Sequence, residues 1–192
     1  DAFQGGRSVG VPGNIRLMAM THARWGKLPW ADLFAPAIRL ADQGFEVSDV
    51  LAGTLKRLAP IWARFPDARD IYWNATGPKA AGERVTNPAL AELLRAVAKG
   101  GPDAFYTGKH GQALVDAVSK ASVNPAKMTL ADLAAYTAKE RPAVCSRYRG
   151  YKVCGMGPPS SGATTVQQIL GMLQPHDIAG MGKDDPKTWH LI

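Results

Sequence analysis

Apolar residues recur at helical spacing from Asn14 to Tyr136, in runs most of which open at a cap or a proline and three of which close at glycine. That rhythm constrains the fold more than any other feature of the chain. Asn14 reads as an N-cap, with Ile15, Met18, Ala19 and His22 on one face and Gly26 as the stop. Pro29 suits the start of a second helix. Its stripe is Leu33, Ala37, Leu40 and Ala41, it ends at Gly44, and Pro36 predicts a kink or short break. Ser48 caps a third helix through Leu51, Leu55, Leu58 and Trp62, with Pro60 bending its end. Residues 64–86 read as a long connection holding a short strand at Ile71-Tyr72-Trp73. Asn87-Pro88 opens a helix that aligns Leu90, Leu93, Leu94 and Val97 and closes at Gly100-Gly101. A further helix is expected from Lys109 to Lys120. Thr129 and Asp132 form a capping box for a brief one ending at Tyr136.

The period then changes. Ala143-Val144-Cys145 and Tyr151-Lys152-Val153-Cys154 alternate as strands around Tyr148-Arg149-Gly150. Pro158-Pro159-Ser160-Ser161-Gly162 follows, and a last helix carries Val166, Ile169, Leu170 and Leu173. The expected fold class is mainly α with a small β-hairpin (α+β). The expected organisation is a helical region over 1–140, then a hairpin, loop and helix over 141–192.

Composition narrows the classes. With 192 residues, 46% apolar and 20% charged, the chain is globular rather than disordered or fibrous, and long enough for one real core. No apolar run reaches the roughly 18 residues needed to cross a bilayer, so no membrane partner is expected. The opening Asp1-Ala2-Phe3-Gln4 has neither an initiator Met nor a signal segment, and reads as a piece of something longer. The formal charge of +7 comes from scattered residues, the densest cluster being Arg147, Arg149 and Lys152. Nucleic-acid binding needs clustering and is not expected.

Candidate sites are few. A two-residue turn at Arg149-Gly150 puts Cys145 opposite Cys154, close enough for a disulfide, although two free half-buried thiols fit the same spacing. Neither zinc spacing nor a histidine ligand motif occurs among His22, His110, His176 and His190, so no metal or cofactor is expected. Ser160-Ser161-Gly162 before a helix invites an oxyanion or phosphate reading, but capping of that helix by a serine explains the same residues. Thr21-His22 and Thr164-Thr165 are expected to serve helix packing or back-bonding, since an N-terminal nucleophile needs a free α-amine and Asp1 cannot supply that chemistry. On residues alone no complete catalytic constellation is present.

Taken in order, several segments resemble the large subunit of the γ-glutamyltransferase (γ-glutamyltranspeptidase) family, in its middle-to-late part. They are Gly10-Val11-Pro12-Gly13 to Gly26-Lys27-Leu28-Pro29-Trp30, Ala35-Pro36-Ala37-Ile38, Gly44-Phe45, Asn87-Pro88, Gly101-Pro102-Asp103-Ala104-Phe105-Tyr106, and Thr129-Leu130-Ala131-Asp132-Leu133-Ala134-Ala135-Tyr136. The likeness is strongest at Tyr148-Arg149-Gly150-Tyr151 and Met156-Gly157-Pro158-Pro159-Ser160-Ser161-Gly162. Gly157 stands where that family usually has a third Pro, and Ala163 where it usually has a second Gly.

The resemblance implies part of an αββα N-terminal-nucleophile hydrolase, made as a precursor that cuts itself. The new N-terminal Thr of the small subunit would then attack γ-glutamyl amides such as glutathione and pass the glutamyl group to water or an amine. That Thr lies downstream of the matched residues and the substrate-carboxylate Arg upstream, so no catalytic residue falls within this chain and Arg7 is not that arginine. The partners implied are the small catalytic subunit of the same precursor and γ-glutamyl substrates. The loop at Pro158, Pro159, Ser160, Ser161 and Gly162 is expected to approach the small subunit, and the hairpin to enter the central sheet. The implied location is periplasmic or secreted, with which a Cys145–Cys154 bridge would agree. Alternatives are a related acylase of the same fold, such as a cephalosporin acylase or a polyglutamate-capsule depolymerase, and a non-catalytic helical interaction domain binding an anionic partner.

Overall fold

The computed structural model describes residues 3–192; the Asp1-Ala2 start lies outside the described residues. The chain divides into two compact units, residues 1–138 and 139–192.

The first unit is built on helices that start and stop where local chemistry dictates. α1 (Asn14–Trp25) ends at Gly26. Its cap position is Gly13, so Asn14 is the first helical residue rather than the expected cap. A carbon added at Gly13 would strike the Tyr136 hydroxyl, so the tight approach favours Gly there. Pro29 precedes a 3₁₀ turn over Trp30–Phe34, which leads into α2 (Ala35–Gln43) with Pro36 in its first turn. The break expected at Pro36 is this 3₁₀-to-α junction.

β1 (Phe45–Glu46) precedes α3 (Asp49–Trp62), whose Leu51 N–H donates to the Ser48 hydroxyl at 3.2 Å. The connection 64–86 holds more structure than expected. α4 (Pro66–Tyr72) is helical where a strand was anticipated at Ile71 and Tyr72, and only Trp73–Asn74 (β2) is extended. β2 pairs with β3 (Gly77–Pro78), and β4 (Arg84–Val85) pairs antiparallel with β1. Pro66 at the first helical position and Asp67 in the first turn start α4, which at seven residues is too short to show a period.

α5 (Pro88–Gly100) is capped by Asn87 and stopped by Gly101 at φ 71°. α6 (Asp103–Tyr106), α7 (Gly108–Ser119) and α8 (Leu130–Ala134) follow. Thr129 and Asp132 complete the capping box of α8 in both directions. Two cores result. One joins Tyr106, Val115, Val118, Met128 and Leu133, with Val11 and Ile15 packed on it. The other joins Val47, Leu55 and Val85 with Leu51, Trp62 and Tyr72 around them. Tyr106 is fully buried, and burial pushes its phenol above the ordinary range.

In the second unit, β5 (Val144–Tyr148) and β6 (Tyr151–Gly155) form an antiparallel hairpin. Its two turn residues, Arg149 and Gly150, sit at φ 48° and 85°, the left-handed pair a tight hairpin turn requires. α9 (Gly162–Leu173) covers one face of the hairpin. Two short helices absent from the expectation follow, α10 (Ile178–Met181) and α11 (Pro186–Leu191), capped by Asp177 and Asp185. Among the described residues no helix is long and apolar enough to cross a membrane.

Candidate functional site: the loop between β6 and α9

The alternation of the hairpin decides what each face carries. Val144, Ser146, Tyr148, Val153 and Gly155 are half-buried, on the face that α9 covers, whereas Cys145, Arg147, Lys152 and Cys154 are exposed. Gln167 of α9 donates from Nε2 to the Val144 carbonyl at 2.8 Å, tying the helix to β5. The first turn of α9 reaches the end of β6, where Ala163 is buried against the bare α-carbon of Gly155. The hairpin tip is held as well, since Arg149 donates from Nη2 to the His176 carbonyl at 2.8 Å.

These contacts fix both ends of the loop 157–162. The Ser160 N–H donates to the Gly157 carbonyl at 3.2 Å, closing a turn over the cis Pro158–Pro159 pair. Arg141 donates from Nη1 to the Pro158 carbonyl at 3.1 Å. Pro158, Pro159, Ser160, Ser161 and Gly162 are all exposed. The two serines divide their work in a way the sequence did not show. Ser161 holds the cap position of α9 but its side chain caps nothing, and it is the Ser160 hydroxyl that accepts from the Gly162 N–H, at 3.3 Å. The Ser161 carbonyl takes the Thr165 N–H at 2.8 Å and the Thr164 hydroxyl at 3.2 Å. Thr164 is thus a back-bonding residue. A hollow of about 360 Å³ lies beside this loop, lined by Val153, Met156, Ser160, Gly162 and Val166 among others.

Cys145 and Cys154 are directly opposite in the ladder and their sulfurs are bonded, so the chain has no free thiol. The bridge lies on the exposed face, away from α9. The hydroxyls and histidines named from the sequence do not converge. Thr21 and His22 are on α1, with the His22 ring nitrogen 2.8 Å from the Leu28 carbonyl. Among the described residues no group of three His, Cys, Asp or Glu side chains is arranged to hold a metal ion. The loop presents hydroxyls and helix-terminal N–H groups from a fixed frame but carries no nucleophile with an adjacent base. The residues that fix it (Arg141, Gly155, Ala163 and Gln167) carry no motif. Only the small residue at 155 facing a helix start hints at a close approach.

A second feature belongs to the first unit. An apolar groove of about 630 Å³ runs along α1, the 3₁₀ turn and α2, lined by Leu17, Met18, Trp25, Trp30, Leu33 and Leu94 among others. Of the stripe Leu33, Ala37, Leu40 and Ala41, only Ala41 is buried. Leu33 and Leu40 are 48% and 51% exposed, and Trp25 is 64% exposed. This much contiguous apolar surface is characteristic of an interface.

A family model described as gamma-glutamyltranspeptidase matches residues 1–192. The chain is 35% identical over 188 residues to the acylase ACY 1 proenzyme of Pseudomonas sp. (strain SE83), which spans 98% of this chain and 33% of that protein. It is 34% identical over 174 residues to the glutathione hydrolase proenzyme of Escherichia coli (strain K12), spanning 90% of this chain and 30% of that protein. Its structure is similar to that of Helicobacter pylori gamma-glutamyltranspeptidase at a TM-score of 0.91 and 29% identity, over 99% of this chain and 54% of the other. The chain thus spans about a third of the length of these curated relatives.

Proposed function

The chain belongs to the gamma-glutamyltranspeptidase family, and from that premise we propose that it is the middle-to-late part of the large subunit of a self-cleaving N-terminal-nucleophile hydrolase. The observation that carries this reading is the match along all 192 residues, at one third of the relatives' length, in a chain with an open apolar groove. The complete enzyme would transfer or hydrolyse γ-glutamyl groups of glutathione and related amides. An N-terminal Thr on the small subunit would attack the γ-carbonyl while its own α-amine takes the hydroxyl proton, and backbone donors would hold the oxyanion. The acyl-enzyme would then pass the glutamyl group to water or an amine.

This chain's contribution is positional. Arg141, Gln167 and the Gly155–Ala163 approach hold the Pro158–Gly162 loop in one place, so that the small subunit meets a preorganised surface. The groove on α1 and α2 is covered by the rest of the assembly. The protein is exported, periplasmic or secreted, and the exposed Cys145–Cys154 bridge supports an oxidising compartment. A second reading, an acylase of the same fold, is supported by the 35% identity to acylase ACY 1. Assaying the full-length gene product on a γ-glutamyl anilide with a dipeptide acceptor separates them. Release of the aniline, accelerated by the acceptor, is the expected result. Cleavage of a cephalosporin side-chain amide with no γ-glutamyl release would overturn it in favour of the acylase.

A further inference from the structure

We propose that the Cys145–Cys154 bridge is a thiol–disulfide exchange site selective for small anionic thiols. Three observations meet on one face of the hairpin. Both cysteines are exposed there, on the side that α9 leaves open. The next cross-strand pair on that same face is Arg147 opposite Lys152, so two cations stand beside the bridge on its turn side. Like charges directly opposite destabilise a ladder, and neither side chain finds a carboxylate among the described residues. The hairpin therefore keeps an unneutralised positive pair beside an accessible disulfide.

That pairing has a chemical consequence. The attacking species in exchange is a thiolate, and the species that departs is a thiolate too. Cations within about 7–8 Å, the spacing of diagonal neighbours in a ladder, favour both. A thiol that also carries carboxylates is drawn to the face, whereas a cationic thiol is repelled. The step balances with two equivalents of the thiol as reductant. One thiolate attacks one sulfur of the bridge, the Cys145–Cys154 bond breaks, and its electron pair stays on the other cysteine as a thiolate. A second thiolate then attacks the small molecule's sulfur in the mixed disulfide, releasing the remaining cysteine thiolate and a symmetric disulfide of the thiol. Two electrons pass to the protein.

The frame survives the opening. The five-pair backbone ladder holds β5 against β6 without the sulfurs, and α9 packs on both strands with Gln167 bonded to β5. The dithiol can therefore close again. This chemistry uses the hairpin alone and is independent of which amide the complete enzyme cleaves.

The test uses the intact protein with reduced glutathione as the anionic probe and cysteamine as the cationic one. Alkylated Cys145 and Cys154 are counted by mass spectrometry, and each rate is divided by the rate of the same thiol on a neutral linear disulfide peptide. The expected normalised ratio of glutathione to cysteamine is about fivefold or more at low ionic strength, falling toward one in 1 M salt, where charges about 7 Å apart are screened. The Arg147→Gln/Lys152→Gln double variant should bring the ratio to one at low salt. A parent ratio of one at low salt, a ratio untouched by salt, or a bridge that neither thiol opens would overturn the proposal. If the double variant does not fold, the salt dependence of the parent decides.

Discussion

The methyl group of Ala163 lies against the bare α-carbon of Gly155, so closely that a carbon added at position 155 would stand 2.9 Å from it. This contact seats the first turn of α9 on the last residue of β6. It also explains how the chain accommodates Ala where the resembling family usually has Gly: the glycine is on the strand side of the contact. Gly155→Ala should therefore overpack the junction, at a cost of about 1–3 kcal/mol in urea unfolding. Adding Ala163→Gly should recover most of that loss, because the two positions share one space. A single Gly155→Ala variant as stable as the parent would show that the contact is loose.

Tyr106 anchors the first unit through its hydroxyl. It donates to the Pro12 carbonyl at 2.6 Å and accepts from the Arg16 N–H at 3.2 Å, while Arg16 lies 4.5 Å over its ring. Tyr106→Phe keeps the ring and leaves two partly buried backbone groups without a partner. The expected cost is about 1–3 kcal/mol, measured by urea denaturation.

Acid sensitivity follows from the α8 cap. The Thr129 hydroxyl and N–H, both 2.8 Å away, hold the Asp132 carboxyl below its ordinary value of 3.8. A lowered folded-state value means that the stabilisation is full above the ordinary value and drains as pH falls through the folded one. Asp132→Asn should therefore be less stable than the parent near neutrality but should lose less as the pH falls below about 3.8. Parallel acid profiles for the two proteins would remove Asp132 as a source of the effect.

Much of this architecture is legible because it is local. Ser48, Asn87 and Thr129 cap the helices they precede, Gly26, Gly44 and Gly101 end helices, and Arg149-Gly150 sets the hairpin register that opposes Cys145 and Cys154. What sequence did not reveal falls into two physical kinds. α4, α6, α10 and α11 have four to seven residues each, too few to display a 3.6-residue period, so they pass for connection. The other kind is tertiary. The stripe of Leu33, Ala37 and Leu40 is apolar but faces outward, since periodicity identifies a face without saying what covers it. The choice of Ser160 over Ser161 as the hydroxyl that meets the α9 N-terminus likewise depends on the path of the Pro158-Pro159 segment, which residue types alone do not specify.

The outward stripe makes its own prediction. The 192-residue chain by itself should bind an apolar dye such as anilinonaphthalene sulfonate and self-associate. Leu17→Lys and Leu33→Lys, at positions 50% and 48% exposed, should lower both while changing unfolding by no more than about 0.5 kcal/mol. In the full-length product the same pair should impair assembly, read as loss of the processed complex on gel filtration. Unchanged dye binding in the double variant would place the sticky surface elsewhere.

Intact-mass and N-terminal analysis of the purified full-length gene product decides whether this chain is part of a self-cleaving hydrolase. Two associated chains are expected, the larger containing these residues and the smaller beginning with Thr. A single unprocessed chain, or a second chain beginning with a residue that lacks a nucleophilic side chain, would contradict it.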